Sequence, residues 1–139
     1  MLKILIADDH AIVREGLKQI LSQTPDMVVV AEASNGQEAL DKLARNNIDL
    51  IVLDISMPGK DGLDVLSEVM GKRPELPVLI LSMYPGEQYA VRVLKAGASG
   101  YLTKESAPDE LVKAIRQISQ GKKYISPTLG AILALERDL

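Results

Sequence analysis

The chain has 139 residues, a formal net charge of −3 and no cysteine. It is long enough for one domain with a real core, carries no general attraction to nucleic acid or anionic membrane, and can form neither disulfides nor thiolate sites. No apolar run is long enough to span a membrane and no basic-then-apolar leader opens the chain, so a cytoplasmic protein is expected.

Leu2 to Ala7 reads as an apolar strand that stops at Asp8-Asp9. Ile12, Val13, Leu17, Ile20 and Leu21 follow at helical spacing, and all five are expected inward. Thr24-Pro25-Asp26 breaks that helix before a second strand, Met27 to Ala31. Asn35-Gly36-Gln37-Glu38 has capping-box spacing and opens a helix burying Ala39, Leu40 and Leu43. Leu50 to Leu53 is a continuous apolar run, as in a strand buried on both faces, and Asp54 stands where it ends. Ser56, Pro58 and Gly59 then turn the chain away, and a third helix starting near Asp61-Gly62 buries Leu63, Leu66 and Val69. Pro77 to Leu81 is the fourth strand, finishing at Ser82. Pro85-Gly86 opens a helix with Val91 and Leu94, which Gly97 stops. Gly100 to Leu102 is a short fifth strand ending near Thr103-Lys104. Ser106, with Asp109, is expected to cap a helix bearing Leu111, Ala114, Ile115 and Ile118. Ser126-Pro127 sets a final short helix with Leu129, Ile132 and Leu133 inward.

Strand and helix thus alternate five times, which implies an α/β fold: a doubly wound, five-stranded parallel sheet joined by right-handed crossovers. In the strand order 2-1-3-4-5, the switch point falls between the first and third strands, where ligands bind in such sheets. Those are the strands that deliver Asp8-Asp9 and Asp54. Clustered carboxylates resist joint ionisation without a cation among them. Oxygen donors at an open site suit Mg²⁺. Ser82 and Lys104 add a hydroxyl and an ammonium at the neighbouring strand ends. Such a set is equipped to receive a phosphoryl group on Asp54, the nucleophile.

Asp8-Asp9, Asp54 with Met57-Pro58, Ser82 and Tyr101…Lys104 together resemble the receiver domain of two-component response regulators over residues 1–121. Asp8-Asp9-His10, Val13 to Leu17 and Gly97 to Leu102 are similar to its NarL/FixJ (LuxR-type) branch. The resemblance implies a flavodoxin-like receiver fold and a phosphorylation-dependent switch. It implies that Asp54 takes its phosphoryl group from a sensor histidine kinase. Asp9, Asp54 and the backbone carbonyl of Ser56 would bind Mg²⁺, with Asp8 acting through metal-bound water. Ser82 and Lys104 would each hold a phosphoryl oxygen, and Tyr101 would be the switch aromatic. Ser56 and Tyr84 would flank the approach of hydrolytic water and set the phosphoryl lifetime. The protein would catalyse only its own phosphorylation and dephosphorylation. Phosphorylation would promote a homodimer, with the first and fifth helices the favoured surface. DNA would be bound only through a C-terminal helix-turn-helix output domain, to which residues 122–139 would lead as linker and short helix. One departure is that Lys104 precedes Glu105, where the family commonly has a proline.

Plainer roles are available to each residue. Asp8-Asp9 could cap a helix, Lys104 could be a solvated loop lysine, Ser82 a turn residue and Tyr101 core filling. His10, the sole histidine, reads as a surface residue of the first turn. A phosphatase with a strand-end aspartyl nucleophile would place a second acid two residues on, and here that position is Ser56. A silent scaffold should have lost acids or the lysine, which are all present. No glycine-rich phosphate loop supports nucleotide binding.

Overall fold

The computed structural model describes residues 1–83 and 87–125, the side chains of 87–89 excepted. The elements in chain order are β1 (Leu2–Ala7), α1 (Ala11–Ser22), β2 (Met27–Ala33), α2 (Gly36–Arg45), β3 (Leu50–Asp54) and α3 (Gly62–Lys72). There follow β4 (Val78–Ser82), α4 (Glu87–Lys95), β5 (Gly100–Thr103), α5 (Ala107–Ser119) and β6 (Tyr124–Ile125). The sheet has six strands in the order β2-β1-β3-β4-β5-β6, every pair parallel. The expected count of five is therefore corrected to six; the order of the first five stands. The added strand is only two residues long, which is too short for any periodicity to reveal. It pairs Gly100 with Tyr124 and Tyr101 with Ile125.

Alternation along the strands divides the core into two layers. Ile4, Ile6, Leu50, Val52, Leu79 and Leu81 face α1 and α5, which contribute Leu17, Leu21, Leu111 and Ile115. Leu5, Ala7, Ile51, Leu53, Val78 and Ile80 face α2, α3 and α4, which contribute Ala39, Val65, Leu66 and Val93. Both faces being covered, the central strands must be apolar throughout, and β3 is buried along its whole length. A charged residue is admissible only where the strand runs out, which is why the acids collect at one edge.

Local signals mostly act as expected. The Asn35 side chain accepts from the Glu38 N–H, while the Glu38 carboxylate takes the Ser34 hydroxyl instead of closing the box. Asp61 and Asp64 form a complete capping box at α3. Gly97 sits at φ +112°, a left-handed conformation that a side chain would strain, and so ends α4. Leu40, Leu43 and Leu63 are half-buried against the core. In α4 it is Ala90 and Val93 that are fully buried, with Val91 and Leu94 half-buried beside them.

Two expectations are corrected. Ile12 is 88% exposed; five residues from Leu17 amounts to about 140° around a helix, off the buried stripe. Ser106 makes no side-chain cap; its hydroxyl accepts from Thr103 Oγ1 and donates to the Thr103 carbonyl. The expected helix after Pro127, its residues Leu129, Ile132 and Leu133, the Pro85-Gly86 helix start and Tyr84 lie outside the described residues. Among the described residues no helix is long and apolar enough to cross a membrane.

Candidate functional site

Strand register brings the expected residues together. Ala7 pairs with Leu53, so Asp8 and Asp54 emerge side by side from β1 and β3. Asp54 pairs with Leu81, and Ser82 with Thr103, which sets Ser82 and Lys104 at the same edge. Backbone bonds fix the loops where they leave the sheet: Ile55 N–H to Leu81 O at 3.0 Å, and Lys104 N–H to Ser82 O at 2.8 Å. The Lys104–Glu105 peptide is trans, so the lysine reaches the acids without the family's proline.

Lys104 crosses from β5 to place Nζ 2.9 Å from Asp8 Oδ2 and 3.1 Å from Asp54 Oδ2. Both carboxylates are essentially inaccessible, at 0% and 1% exposure, and the ammonium lies between them. The contact with Asp54 is a hydrogen bond. That with Asp8 is close but misaligned, leaving Asp8 Oδ2 buried without a directed hydrogen bond. Burial is the largest influence on Asp54 and raises its carboxyl above the ordinary range, with the Asp8 charge adding to it. The Ser56 N–H, 3.1 Å from Asp54 Oδ1, and Lys104 oppose that rise. Burial also works against the Lys104 ammonium, but Asp8 and Asp54 together outweigh it and hold the amine above its usual range. Lys104 is thus a fixed cation, not a solvated loop lysine.

Ser82 is fully buried and Tyr101 is 3% exposed, packed into the layer beneath α2, α3 and α4. Asp9 and Ser56 are exposed beside the buried pair. Asp8 and Asp9 are not the cap of α1; that position is His10, whose side chain makes no capping bond. Asp8 Oδ1 accepts the His10 N–H at 2.8 Å instead.

Two residues of the site escape a reading of the sequence. His10 is half-exposed, as a surface residue should be, yet its Nδ1 lies 3.3 Å from Asp8 Oδ1 and 3.2 Å from Asp9 Oδ1. Arg14 donates to the Asp8 carbonyl at 2.7 Å and to Glu32 Oε1 at 3.1 Å, tying the acid-bearing loop to β2. Lys18 bonds the second Glu32 oxygen at 2.9 Å. Chiefly through that bond, with burial opposing and Arg14 assisting, the Glu32 carboxyl is held below its usual range. The Asp-Asp-His run was the available signal for His10. Nothing local marks the bond from Arg14 to Glu32, because the two residues are 18 apart in sequence.

The donor set fits a small divalent cation. Asp8, Asp9, His10 and Asp54 each present one ligand atom, and these atoms lie within 4.8 Å of one another. Opposite ligands of an octahedral Mg²⁺ are about 4.2 Å apart, twice its usual bond length. Small side-chain rotations would close the cluster on such an ion.

Comparison with known proteins agrees. The response regulator receiver domain family matches residues 4–116. The oxygen regulatory protein NreC of Staphylococcus epidermidis is 43% identical over 136 residues, covering 97% of this chain and 62% of that protein. The nitrate/nitrite response regulator protein NarL of Escherichia coli is 40% identical over 131 residues, covering 94% of this chain and 61% of that protein. The chain thus spans about three fifths of these curated relatives. The crystal structure of a two-component response regulator of the LuxR family from Aurantimonas superposes with TM-score 0.92 at 36% identity, covering 99% of this chain and 98% of that one. With the acids, hydroxyl and lysine gathered at one sheet edge, the chain belongs to the response regulator receiver domain family.

Proposed function

We propose that this domain is a phosphorylation-dependent switch that accepts a phosphoryl group on Asp54 from the phosphohistidine of a sensor histidine kinase. The observation that carries the reading is the Lys104 ammonium held between two buried carboxylates at the edge of the sheet. An Asp54 oxygen attacks phosphorus, the phosphorus–nitrogen bond breaks, and its electron pair returns to the kinase imidazole, which takes a proton. The product is a mixed anhydride on Asp54. Lys104 stands where it can follow an incoming phosphoryl oxygen, and the Ser56 N–H orients the nucleophile. Asp9, Asp54 and the Ser56 carbonyl would hold Mg²⁺, with Asp8 acting through water. When bound, that ion supplies positive charge to phosphoryl oxygens that three carboxylates would otherwise repel.

Ser82 is the second phosphoryl-binding group, and Tyr101 responds to its movement. Ser56 and Tyr84 set the lifetime of the anhydride by ordering or excluding water. The domain acts in the cytoplasm, and residues 1–121 form the receiver unit, followed by a linker toward a DNA-binding output domain. Phosphorylation favours a homodimer through α1 and α5, and the output is control of transcription. NarL is named a nitrate/nitrite response regulator protein and NreC an oxygen regulatory protein. The domain is not a metabolic enzyme and turns over only its own phosphoryl group.

The test is incubation with Mg²⁺ and a small phosphodonor. Wild type should gain one base-labile phosphoryl group, seen in the intact mass, and Asp54→Asn should gain none. Equal labelling of the two proteins would overturn the assignment.

A further inference from the structure

The position of His10 is unusual for a side chain that serves only as a helix boundary. It caps α1 with extended backbone, at φ −99° and ψ 112°, but its ring makes no capping bond. The ring instead turns toward the acids, and Nδ1 sits between Asp8 Oδ1 and Asp9 Oδ1 at 3.3 and 3.2 Å. Charge-assisted N–H···O bonds usually close to about 2.7–2.9 Å, so neither contact is a tight ion pair. Adjacent ligands of an octahedral ion with bonds near 2.1 Å are about 3.0 Å apart. The spacing of Nδ1 from the two oxygens is close to that edge. A second observation points to the same place: the ligand atoms of His10, Asp8, Asp9 and Asp54 all lie within 4.8 Å of one another.

We propose that His10 is a nitrogen ligand of the cation site, and that this site takes imidazole-seeking divalent ions such as Ni²⁺ as well as Mg²⁺. The inference rests on the cation-site reading above and adds a ligand to it. Mg²⁺ is a hard ion satisfied by carboxylate, carbonyl and water. Imidazole nitrogen contributes increasingly along the series from Mn²⁺ to Ni²⁺. A site made only of oxygens discriminates little among these ions beyond size and charge. One nitrogen at its rim shifts the preference toward the later ions while leaving the Mg²⁺ ligands in place. Half the ring remains in solvent, so it can turn onto an ion without disturbing the core.

The chain contains one histidine and no cysteine, which makes the assignment direct. Untagged wild type, His10→Ala and Asp9→Ala are titrated calorimetrically with Mg²⁺ and with Ni²⁺, and the Mn²⁺ complexes are examined by electron spin-echo modulation. Wild type should show imidazole ¹⁴N coupling to Mn²⁺, and His10→Ala should show none. His10→Ala should lose roughly tenfold or more in Ni²⁺ affinity while its Mg²⁺ affinity stays within about twofold. Asp9→Ala should weaken both ions. Absence of imidazole coupling in wild type, an unchanged Ni²⁺ affinity in His10→Ala, or an equal loss for both ions would overturn the proposal. The last result would leave His10 as an ion-pair partner of the acids only. If folded wild type binds neither ion, the cation-site reading itself fails, and that outcome is distinct from the others.

Discussion

The end of β3 that carries Asp54 is pressed against the start of α3, and Gly62 makes the contact possible. A methyl group at position 62 would lie 2.5 Å from the Asp54 carbonyl oxygen, 2.5 Å from Ile55 Cα and 3.1 Å from the Asp54 carbonyl carbon. All three atoms are backbone, so none can rotate away. The methyl falls about 0.9 Å short of ordinary contact, which begins at 3.4 Å. Overpacking of this kind costs about 1–3 kcal/mol. Backing α3 away also stretches the 2.9 Å bond from Gly62 N–H to Ile55 O, a further cost of about 1 kcal/mol. Alanine's advantage over glycine in a helix offsets about 1 kcal/mol. The net expectation for Gly62→Ala is a loss of about 1–3 kcal/mol in urea unfolding. Gly71, exposed near the other end of the same helix, has nothing within 4 Å of its would-be methyl. Gly71→Ala should therefore stabilise by up to about 0.5–1 kcal/mol. The shifted acceptor should also slow phosphorylation of Gly62→Ala, by up to about a hundredfold for a misplacement near 1 Å. Gly71→Ala should label like wild type. If Gly62→Ala is as stable as wild type, or gains like Gly71→Ala, the contact does not seat α3 on β3.

Lys104→Met strands Asp8 and Asp54 without their cation. Breaking such a buried pair costs about 3–5 kcal/mol, although proton uptake by a stranded carboxylate caps the loss near about 4 kcal/mol at pH 7. Adding Asp54→Asn should recover much of that loss, and simple additivity of the two substitutions in urea unfolding would refute the coupling. Tyr124 donates to Glu110 Oε1 at 2.5 Å. Its phenol is pushed up to about 12, first by burial and then by Glu110. Because the folded value lies above the unfolded one, this stability is complete below the ordinary tyrosine range near about 10 and is lost as pH rises through the folded value. Urea midpoints should fall more steeply with alkaline pH in wild type than in Tyr124→Phe, and parallel profiles would contradict the assignment.

Much of the molecule follows from its sequence, for reasons local to the chain. A parallel strand covered on both faces must be apolar, so a carboxylate after Leu50 to Leu53 marks where burial ends. The same reasoning places Asp8, Ser82 and Lys104 at strand ends, and the alternation of elements puts those ends on one edge. Helix stops such as Gly97 are equally local, being set by what one residue's backbone can adopt. Contacts between distant segments decided the rest. That Lys104 is shared between Asp8 and Asp54 depends on a side chain reaching back across the sheet. Arg14, bonded to Glu32 on β2, likewise required two separate segments to be folded together. The two-residue strand β6 was settled by the edge of β5 that was left to pair. Periodicity identifies an element and its apolar stripe, whereas the pairing of charges depends on side chains from segments far apart in sequence. Only the packed tertiary structure fixes those distances.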